Sequence, residues 1–548
     1  MKSYLADNAE GVDVKAIDLN IDFVDRIVQG KIATICHTCI MKNDCGARSF
    51  QRGVPREQRK LFELAKSVIK DSEKFYDKDL FVQYVGPLYS FVSQYFYCFS
   101  WNLRHYLEGR ITDEGFIFHL IKDEIAASVK GNPELIGFSV LCDSQISFVL
   151  TIARFVKKKY GIPIVLGGPA LFNLDVREVM ESFDFIDFIV LKEGEVALLE
   201  LIKNLGQAEN YETVPNLVWR SPRGIVCNEE KVIEDLNELP TPDFSDFRLD
   251  KYYFGEIILP ISSSRSCPWN KCKFCQLSIQ HGRYRQRSIE KVIEDIDTLV
   301  KKYNVRHFFL ADLEVAPLRL KQLGEAVLKA NLEVYFACYA RPTKSLNYEV
   351  LKTAYQGGCR FLLLGVESLS GRFLELVNKG TTAESVLGVL KNTSELKIGV
   401  IPFMLCGIPT QTKKEMLADM KKILNLQKKY NIFSVIYTLF NLGKHTAVFK
   451  ERENYKIEII GRRKVFSATN GKSVYTDEWL EYKYKDGNAY DLLVSPKHYE
   501  DNSLYINDSI AALTESIKEA GINKNDWPFL LIVTNFLFEI QLLYLKRL

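Results

Sequence analysis

Apolar residues recur along this chain in short blocks separated by runs of helical period. LFVQYV (80–85) reads as a short buried strand, LIGFSVL (135–141) as another, and PIVLGG (163–168) as the next. SFVLTIARFVKKKY (147–160) has the 3.6-residue period of a helix, and DFIVLKEGE (187–195) adds a strand after a further helix. Strands alternating with helices predict an α/β domain over about residues 79–205, with a parallel, doubly wound sheet. The stretch 206–255 contains PNLVWRSPRG and ELPTPDF and reads as a linker with a small hairpin.

A second alternation starts near residue 256. Strands are predicted at EIILPIS (256–262), HFFLA (307–311), EVYFAC (333–338), RFLLLGV (360–366), GVIPFMLC (399–406) and FSVIYTL (433–439). Helical runs such as SIEKVIEDIDTLVKKY (288–303) and KKEMLADMKKILNLQKKY (413–430) lie between them. Six β-α units in succession predict a partial (β/α)6 barrel over 256–440. Residues 1–78 form an N-terminal extension, and 441–548 lose the rhythm and read as a C-terminal domain.

Composition narrows the class. Lys plus Arg number 72 and Asp plus Glu 69, so a net charge of +3 gives no electrostatic reason to expect nucleic acid as a partner. The first twenty residues carry Asp7, Glu10, Asp13 and Asp18 and no apolar block, so no secretory signal is read there and the expected compartment is cytoplasmic. FLLIVTNFLFEIQLLYL (529–545) is apolar, but Asn535, Glu539 and Gln541 interrupt it; a buried helix or oligomer contact is expected rather than a membrane span.

Six of the twelve cysteines fall in two groups of three. Cys267, Cys272 and Cys275 stand in RSCPWNKCKFCQLS, straight after the first predicted barrel strand. Three thiolates on one loop suit three irons of a [4Fe–4S] cluster and leave the fourth iron open. The other reading is a structural zinc knuckle, which needs a fourth ligand; His281 is the nearby candidate. Cys36, Cys39 and Cys45 form a second group, with His37 between the first two. Metal binding there competes with an ordinary cluster of thiols. The aromatic run LYSFVSQYFYCFSW (88–101) reads as a buried helix face more readily than as a cavity lining.

The 267–275 loop resembles that of the radical S-adenosylmethionine (SAM) enzymes, with one extra residue in the first gap. The resemblance implies that the amino and carboxylate groups of SAM chelate the open iron, and that one electron cleaves SAM to methionine and a 5′-deoxyadenosyl radical. Phe274 matches the family's aromatic position beside the adenine; simple loop packing is its other reading. Asp312 and Glu314 after the second strand, Arg341 after the third and Glu367 ending the fourth are expected SAM contacts, and GlyIlePro at 407–409 follows the fifth. Each read alone is also an ordinary loop charge.

In the preceding domain, Ser139 and Leu141, then Gly167-Gly168, then Glu193-Gly194-Glu195 end successive strands. Ligands of open α/β sheets bind beyond those ends, and a plain Rossmann-like domain with a tight glycine turn is the alternative. Placed ahead of the cysteine loop, this region resembles the cobalamin-binding domain fused to some radical SAM enzymes. That implies cobalamin contacts from Ser139, Leu141, Gln145, Gly167, Gly168, Glu193, Gly194 and Glu195. GPLYSF (86–91) stands where many such domains carry Asp-x-His-x-x-Gly, so no histidine is expected to ligate cobalt. The function implied is a cobalamin-dependent radical SAM methyltransferase acting on an unactivated carbon. A cyclase or rearrangement enzyme with the same cofactors is the alternative, and a non-catalytic cobalamin or redox sensor the second. An electron donor such as ferredoxin or flavodoxin is implied, and the substrate class, whether peptide or small natural product, is not readable.

Overall fold

The computed structural model describes residues 1–29 and 56–484, apart from 72–73, 75–79, 86–87, 89–91, 93–98, 101, 142, 254 and 469. Cys36, Cys39, Cys45, the apolar stretch 529–545, and most of GPLYSF and of the 88–101 aromatic run lie outside the described residues.

Helices open the chain: α1 (Lys2–Asn8), α2 (Leu19–Val28), α3 (Arg56–Lys70) and α4 (Glu114–Ser128). Asp18 and Asp113 accept the first free amides of α2 and α4, which fixes where each begins. Phe81–Val85 is a π-helical turn and not the expected strand. An apolar run this short is ambiguous, and here Val85 joins Leu88 and Leu103 in a helical core.

The α/β domain follows as β1 (Ile136–Ser139), α5 (Asp143–Tyr160), β2 (Ile164–Gly167), α6 (Val176–Ser182), β3 (Phe188–Val190), α7 (Glu195–Lys203), β4 (Leu217–Ser221) and β5 (Gly224–Cys227). Strands β1 to β3 are parallel, and β4 and β5 join antiparallel. The order is sequential, β1-β2-β3-β4-β5, so the described strands do not wind in two directions. The hairpin foreseen in the linker thus completes this sheet: Trp219, Val218 and Leu217 pair with Phe188, Ile189 and Val190.

The second half runs β6 (Ile258–Ile261), β7 (Ser264–Arg265), α8 (Leu277–His281), β8 (Arg285–Gln286), α9 (Ile289–Tyr303), β9 (His307–Leu310), α10 (Pro317–Lys329), β10 (Tyr335–Ala340), α11 (Tyr348–Gln356), β11 (Cys359–Glu367), α12 (Gly371–Leu376), α13 (Ala383–Glu395), β12 (Gly399–Cys406), α14 (Lys413–Gln427) and β13 (Ile436–Leu439). Six parallel strands form one sheet in the order β13-β12-β11-β10-β9-β6, the expected partial barrel. Its helices are amphipathic: α9 begins at a Ser288 cap and buries Val292, Ile296 and Leu299.

Two apolar layers hold the barrel. Val292, Leu299, Leu320, Leu362, Leu364 and Val400 pack between strands and outer helices. On the other face, Phe361, Leu363, Ile401 and Phe433 belong to the same core as Phe23, Phe99, Phe148 and Ile152. The concave side of the barrel is therefore closed by the N-terminal helices and α5 together. Past α15 (Ala447–Lys450), the hairpin β14 (Ile457–Ser467) and β15 (Ser473–Tyr484) turns back onto the α/β domain. Arg462 pairs with Glu178 at 2.7 Å, and the Tyr475 amide donates to the same carboxylate. The region expected as a separate C-terminal domain is tied, over these residues, to α6. No helix among the described residues is long and apolar enough to cross a membrane.

Candidate functional site

Beyond β6 the chain makes a tight turn through Ser262, Ser263 and Ser264 before the cysteine loop. Asp312, wholly buried after β9, organises that turn. Its Oδ1 accepts from the Ser263 and Ser264 amides at 2.7 and 3.0 Å, and its Oδ2 from the Ser263 hydroxyl. Arg319 of α10 holds the Ser263 carbonyl from behind at 2.8 Å. Burial raises the Asp312 carboxyl, and the serine donors oppose it. Asp312 thus lies under the loop with its oxygens taken by this chain, and works as a brace where a SAM contact was expected.

The strands β7 and β8 form a two-residue ribbon, Ser264 opposite Gln286 and Arg265 opposite Arg285, that closes the base of the loop. All three cysteines lie between its strands. Ser266 and Asn270 adopt left-handed backbone, φ 72° and 48°. Asparagine tolerates that conformation, so the extra residue in the first gap is absorbed at a turn. Burial raises the Cys267 thiol, opposed by the Asn270 and Trp269 amides that donate to its sulfur. Cys272 is pushed up to about 12, by burial first and partly countered by Lys379; Cys275 and Cys267 add to the rise. Three thiols that feel one another, with backbone donors and one nearby cation, fit a group that takes one thiolate per iron.

Around the loop, the strand-end residues form one polar cluster. Cys267 Sγ lies 3.3 Å from Glu314 Oε2, and Arg341 Nε lies 3.2 Å from Glu314 Oε1. Arg341 also donates to the Lys379 and Gly380 carbonyls and stacks 4.3 Å over Trp269. A Cβ at Gly380 would run into that Trp269 ring, and φ there is +69°. Glu367 ends β11 at a register shift with φ 64°, a strained place for a glutamate. Its partner is Lys379, at 2.8 Å. Burial works to lower the Lys379 ammonium, but the Glu367 carboxylate and the Cys272 thiol outweigh it and hold it above the usual lysine range. Phe274 packs with Phe373, Val377, Leu405 and Ile408, with Lys379 Nζ 5.9 Å from its ring.

Sequence reasoning missed Lys379, Trp269, Arg265 and Arg285. Trp269 stood in the loop and Arg265 two residues ahead of Cys267; nothing local marks Lys379, which lies three residues past the end of α12.

On the α/β side, Ser139 and Leu141 are exposed at the end of β1, Leu141 by 69%. Gln145 Oε1 accepts the Leu141 amide at 2.8 Å, and Gly167 pairs with Ser139 across β1 and β2. Gly168, φ +101°, sits against the Val140 backbone, into which a Cβ would run. The fold itself therefore requires that glycine. The third turn departs from expectation. Glu193 and Glu195 engage Arg265 and Arg285, and Met1 lies against Gly194. These two carboxylates are bound to guanidinium groups of the cysteine ribbon and are not free for a ligand.

Residues 261–423 match the Radical SAM superfamily. An uncharacterized methyltransferase of Pyrococcus horikoshii is 27% identical over 334 residues, 59% of this chain and 71% of that protein. An anaerobic magnesium-protoporphyrin IX monomethyl ester cyclase of Rubrivivax gelatinosus is 31% identical over 264 residues, 46% of this chain, which spans about half (47%) of that relative's length. Among solved structures, the cobalamin-dependent SAM radical enzyme OxsB aligns with TM-score 0.52 at 22% identity, over 66% of this chain and 58% of its own. The radical SAM methyltransferase TsrM from Kitasatospora setae aligns with TM-score 0.52 at 18% identity, over 65% and 71%. The matched residues run from β6 into α14 with the cysteine loop just inside them, so that segment is similar in sequence to the radical SAM superfamily, and about two thirds of the chain shares its fold with OxsB and TsrM.

Proposed function

We propose that this protein is a cobalamin-dependent radical SAM methyltransferase. The observation that carries the reading is one of placement. The loop of Cys267, Cys272 and Cys275 stands at the carboxyl end of the first barrel strand, against the carboxyl-end turns of the α/β sheet, where each domain type binds its ligand. Likeness to the Pyrococcus methyltransferase, to OxsB with cobalamin bound, and to TsrM with cobalamin and a [4Fe–4S] cluster bound supports it.

When bound, a [4Fe–4S] cluster with SAM supplies one-electron cleavage of the sulfonium, and cobalamin supplies a methyl carrier. The chain's own part is to bind, orient and exclude water. Cys267, Cys272 and Cys275 hold three irons, and Lys379 offsets thiolate charge beside Cys272. Glu314, Arg341 and Glu367 present polar groups toward SAM, with Phe274 beside it. Ser139, Leu141, Gln145, Gly167 and Gly168 meet cobalamin along the β1 and β2 ends, while Glu193, Gly194 and Glu195 serve the cysteine ribbon. The apolar wall of Phe361, Phe433 and Phe148 keeps bulk water from the concave face. Electrons come from a low-potential protein such as ferredoxin or flavodoxin.

A second reading, ring closure or rearrangement with the same cofactors and no net methyl transfer, is favoured by the 31% identity to the cyclase. Anaerobically reconstituted protein given cobalamin, a low-potential reductant and methyl-deuterated SAM separates the two. Methyl transfer yields 5′-deoxyadenosine, S-adenosylhomocysteine and a product heavier by a deuterated methyl. The second reading yields 5′-deoxyadenosine alone, and protein that releases none under reduction is not an enzyme of this kind.

A further inference from the structure

The turn that ends β3 reaches into the other domain. Arg285 Nη2 donates to Glu193 Oε1 at 2.7 Å and Nη1 to Oε2 at 3.1 Å, a two-pronged pair. Arg265 Nη1 lies 3.1 Å from Glu193 Oε1, and its Nη2 lies 2.5 Å from Glu195 Oε1. The Ile233 amide donates to Glu193 Oε2 at 2.7 Å, and the Ile233 carbonyl accepts from Arg285. Four charges and one backbone segment meet at a node that is nearly dry: the Arg285 side chain is 4% exposed and that of Glu193 8%. Burial would raise the Glu193 carboxyl, but the Arg285 hydrogen bonds and the Arg265 charge prevail and hold it below the usual range. A second grip lies farther along the loop, where Gln280 Nε2 of α8 donates to the Pro169 carbonyl at 3.0 Å.

Buried ion pairs are a poor way to gain stability, because desolvation cancels most of the attraction, and well-packed apolar residues do as well or better. What a two-pronged guanidinium–carboxylate pair adds is direction. Here the guanidiniums belong to the two strands of the ribbon that bounds the cysteine loop, Arg265 two residues ahead of Cys267 and Arg285 ten beyond Cys275. The carboxylates and Pro169 belong to the carboxyl-end turns of β3 and β2, the ligand face of the other domain.

We infer that Glu193 and Glu195 are positioning residues for the cysteine loop: the α/β domain holds the loop at its base through Arg265 and Arg285, and at α8 through Gln280. The loop that carries the cluster and the face that carries the second cofactor are then one mechanical unit. The inference rests on the proposed function only for what the loop holds, so its test uses the ligand-free full chain.

The test is hydrogen exchange by mass spectrometry on wild type, Glu193→Gln with Glu195→Gln, and Gln280→Ala. In the double Gln variant, peptides covering 264–286 exchange about tenfold faster or more, as removal of one side of a buried charge pair demands. Peptides covering 164–167 and 307–310 keep their wild-type rates. Gln280→Ala gives a smaller rise confined to 276–286. In reconstituted protein, iron passes to a chelator faster in the double Gln variant, in step with exchange. Unchanged loop exchange in both the double Gln and Gln280→Ala variants overturns the inference. So does a rise spread evenly over both domains, which marks a general stabilising contact. Should the double Gln variant fail to fold, Gln280→Ala decides alone, because it disturbs no buried charge.

Discussion

Lys379 donates to Glu367 at 2.8 Å, and it does so beside the Cys272 thiol, in a site where both side chains are about one-tenth exposed. The Lys379 charge works against the rise that burial imposes on the Cys272 thiol, and Glu367 meets it from left-handed backbone, φ 64°. The pair therefore sits beside the cysteine loop, where the proposed cluster and SAM would meet.

Lys379→Met leaves Glu367 as a buried carboxylate without its partner. Loss of one member of such a pair costs about 3–5 kcal/mol. Urea denaturation should show a loss of that order, and Lys379→Met with Glu367→Gln should recover much of it. SAM affinity of the reconstituted protein should fall in both. Equal stability of wild type and Lys379→Met removes the pair from the account.

Replacing Cys267, Cys272 and Cys275 together with Ala removes the ligands of three irons. Iron per chain in the anaerobically reconstituted protein should fall by about one whole cluster, roughly four irons, and 5′-deoxyadenosine formation should stop. Continued formation means the cluster is held elsewhere. Iron that persists without turnover points to Cys36, Cys39 and Cys45.

The cysteine loop stood out because its three thiols are neighbours in sequence, and the six barrel strands were legible because each is a compact apolar run. What escaped were groups whose partners are remote. Glu193 and Glu195 read as ligand contacts from their place at a strand end; the arginines that claim them lie 92 and 70 residues on. Lys379 owes its role to Cys272, more than a hundred residues earlier, and no local pattern carries that. Asp312 was placed in the right neighbourhood but on the wrong side of the serine turn, which backbone amides decide. Phe81–Val85 failed for a different reason, since a run of five residues, four of them apolar, fits a buried helical turn as well as a strand.

Gly167 and Gly168 separate fold from ligand. A Cβ at Gly168 runs into the Val140 backbone at φ +101°, whereas one at Gly167 meets only the Val190 carbonyl at 3.6 Å, an ordinary contact. Gly168→Ala should cost on the order of 2 kcal/mol or more in urea denaturation. Gly167→Ala should leave stability within about 0.5 kcal/mol yet weaken cobalamin binding followed by its visible absorption. Cobalamin affinity unchanged in Gly167→Ala would move the ligand off the β2 end.

His307 opens β9 at the amino end of the barrel, beside Tyr335 at 5.3 Å between ring centres, with Arg306 adjacent and Arg360 over the Tyr335 ring at 5.0 Å. Burial lowers its pKa to about 4, and the Arg306 charge pushes the same way. In the unfolded chain the imidazole titrates near its ordinary 6.5. Between these values the unfolded state binds the proton and the folded state does not, so stability rises with pH. The full contribution is present above about pH 6.5 and is lost progressively as pH falls toward 4. Spread over that window it amounts to on the order of 3 kcal/mol. His307→Leu removes the titrating group and should flatten the curve by that amount. Because carboxylates elsewhere also titrate, the quantity to compare is the wild-type minus variant difference in urea stability at pH 7, 5.5 and 4.5. A difference that shifts toward the variant as pH falls is the expected result. Parallel curves across the window would show that His307 takes up its proton in the folded barrel as readily as in the unfolded chain.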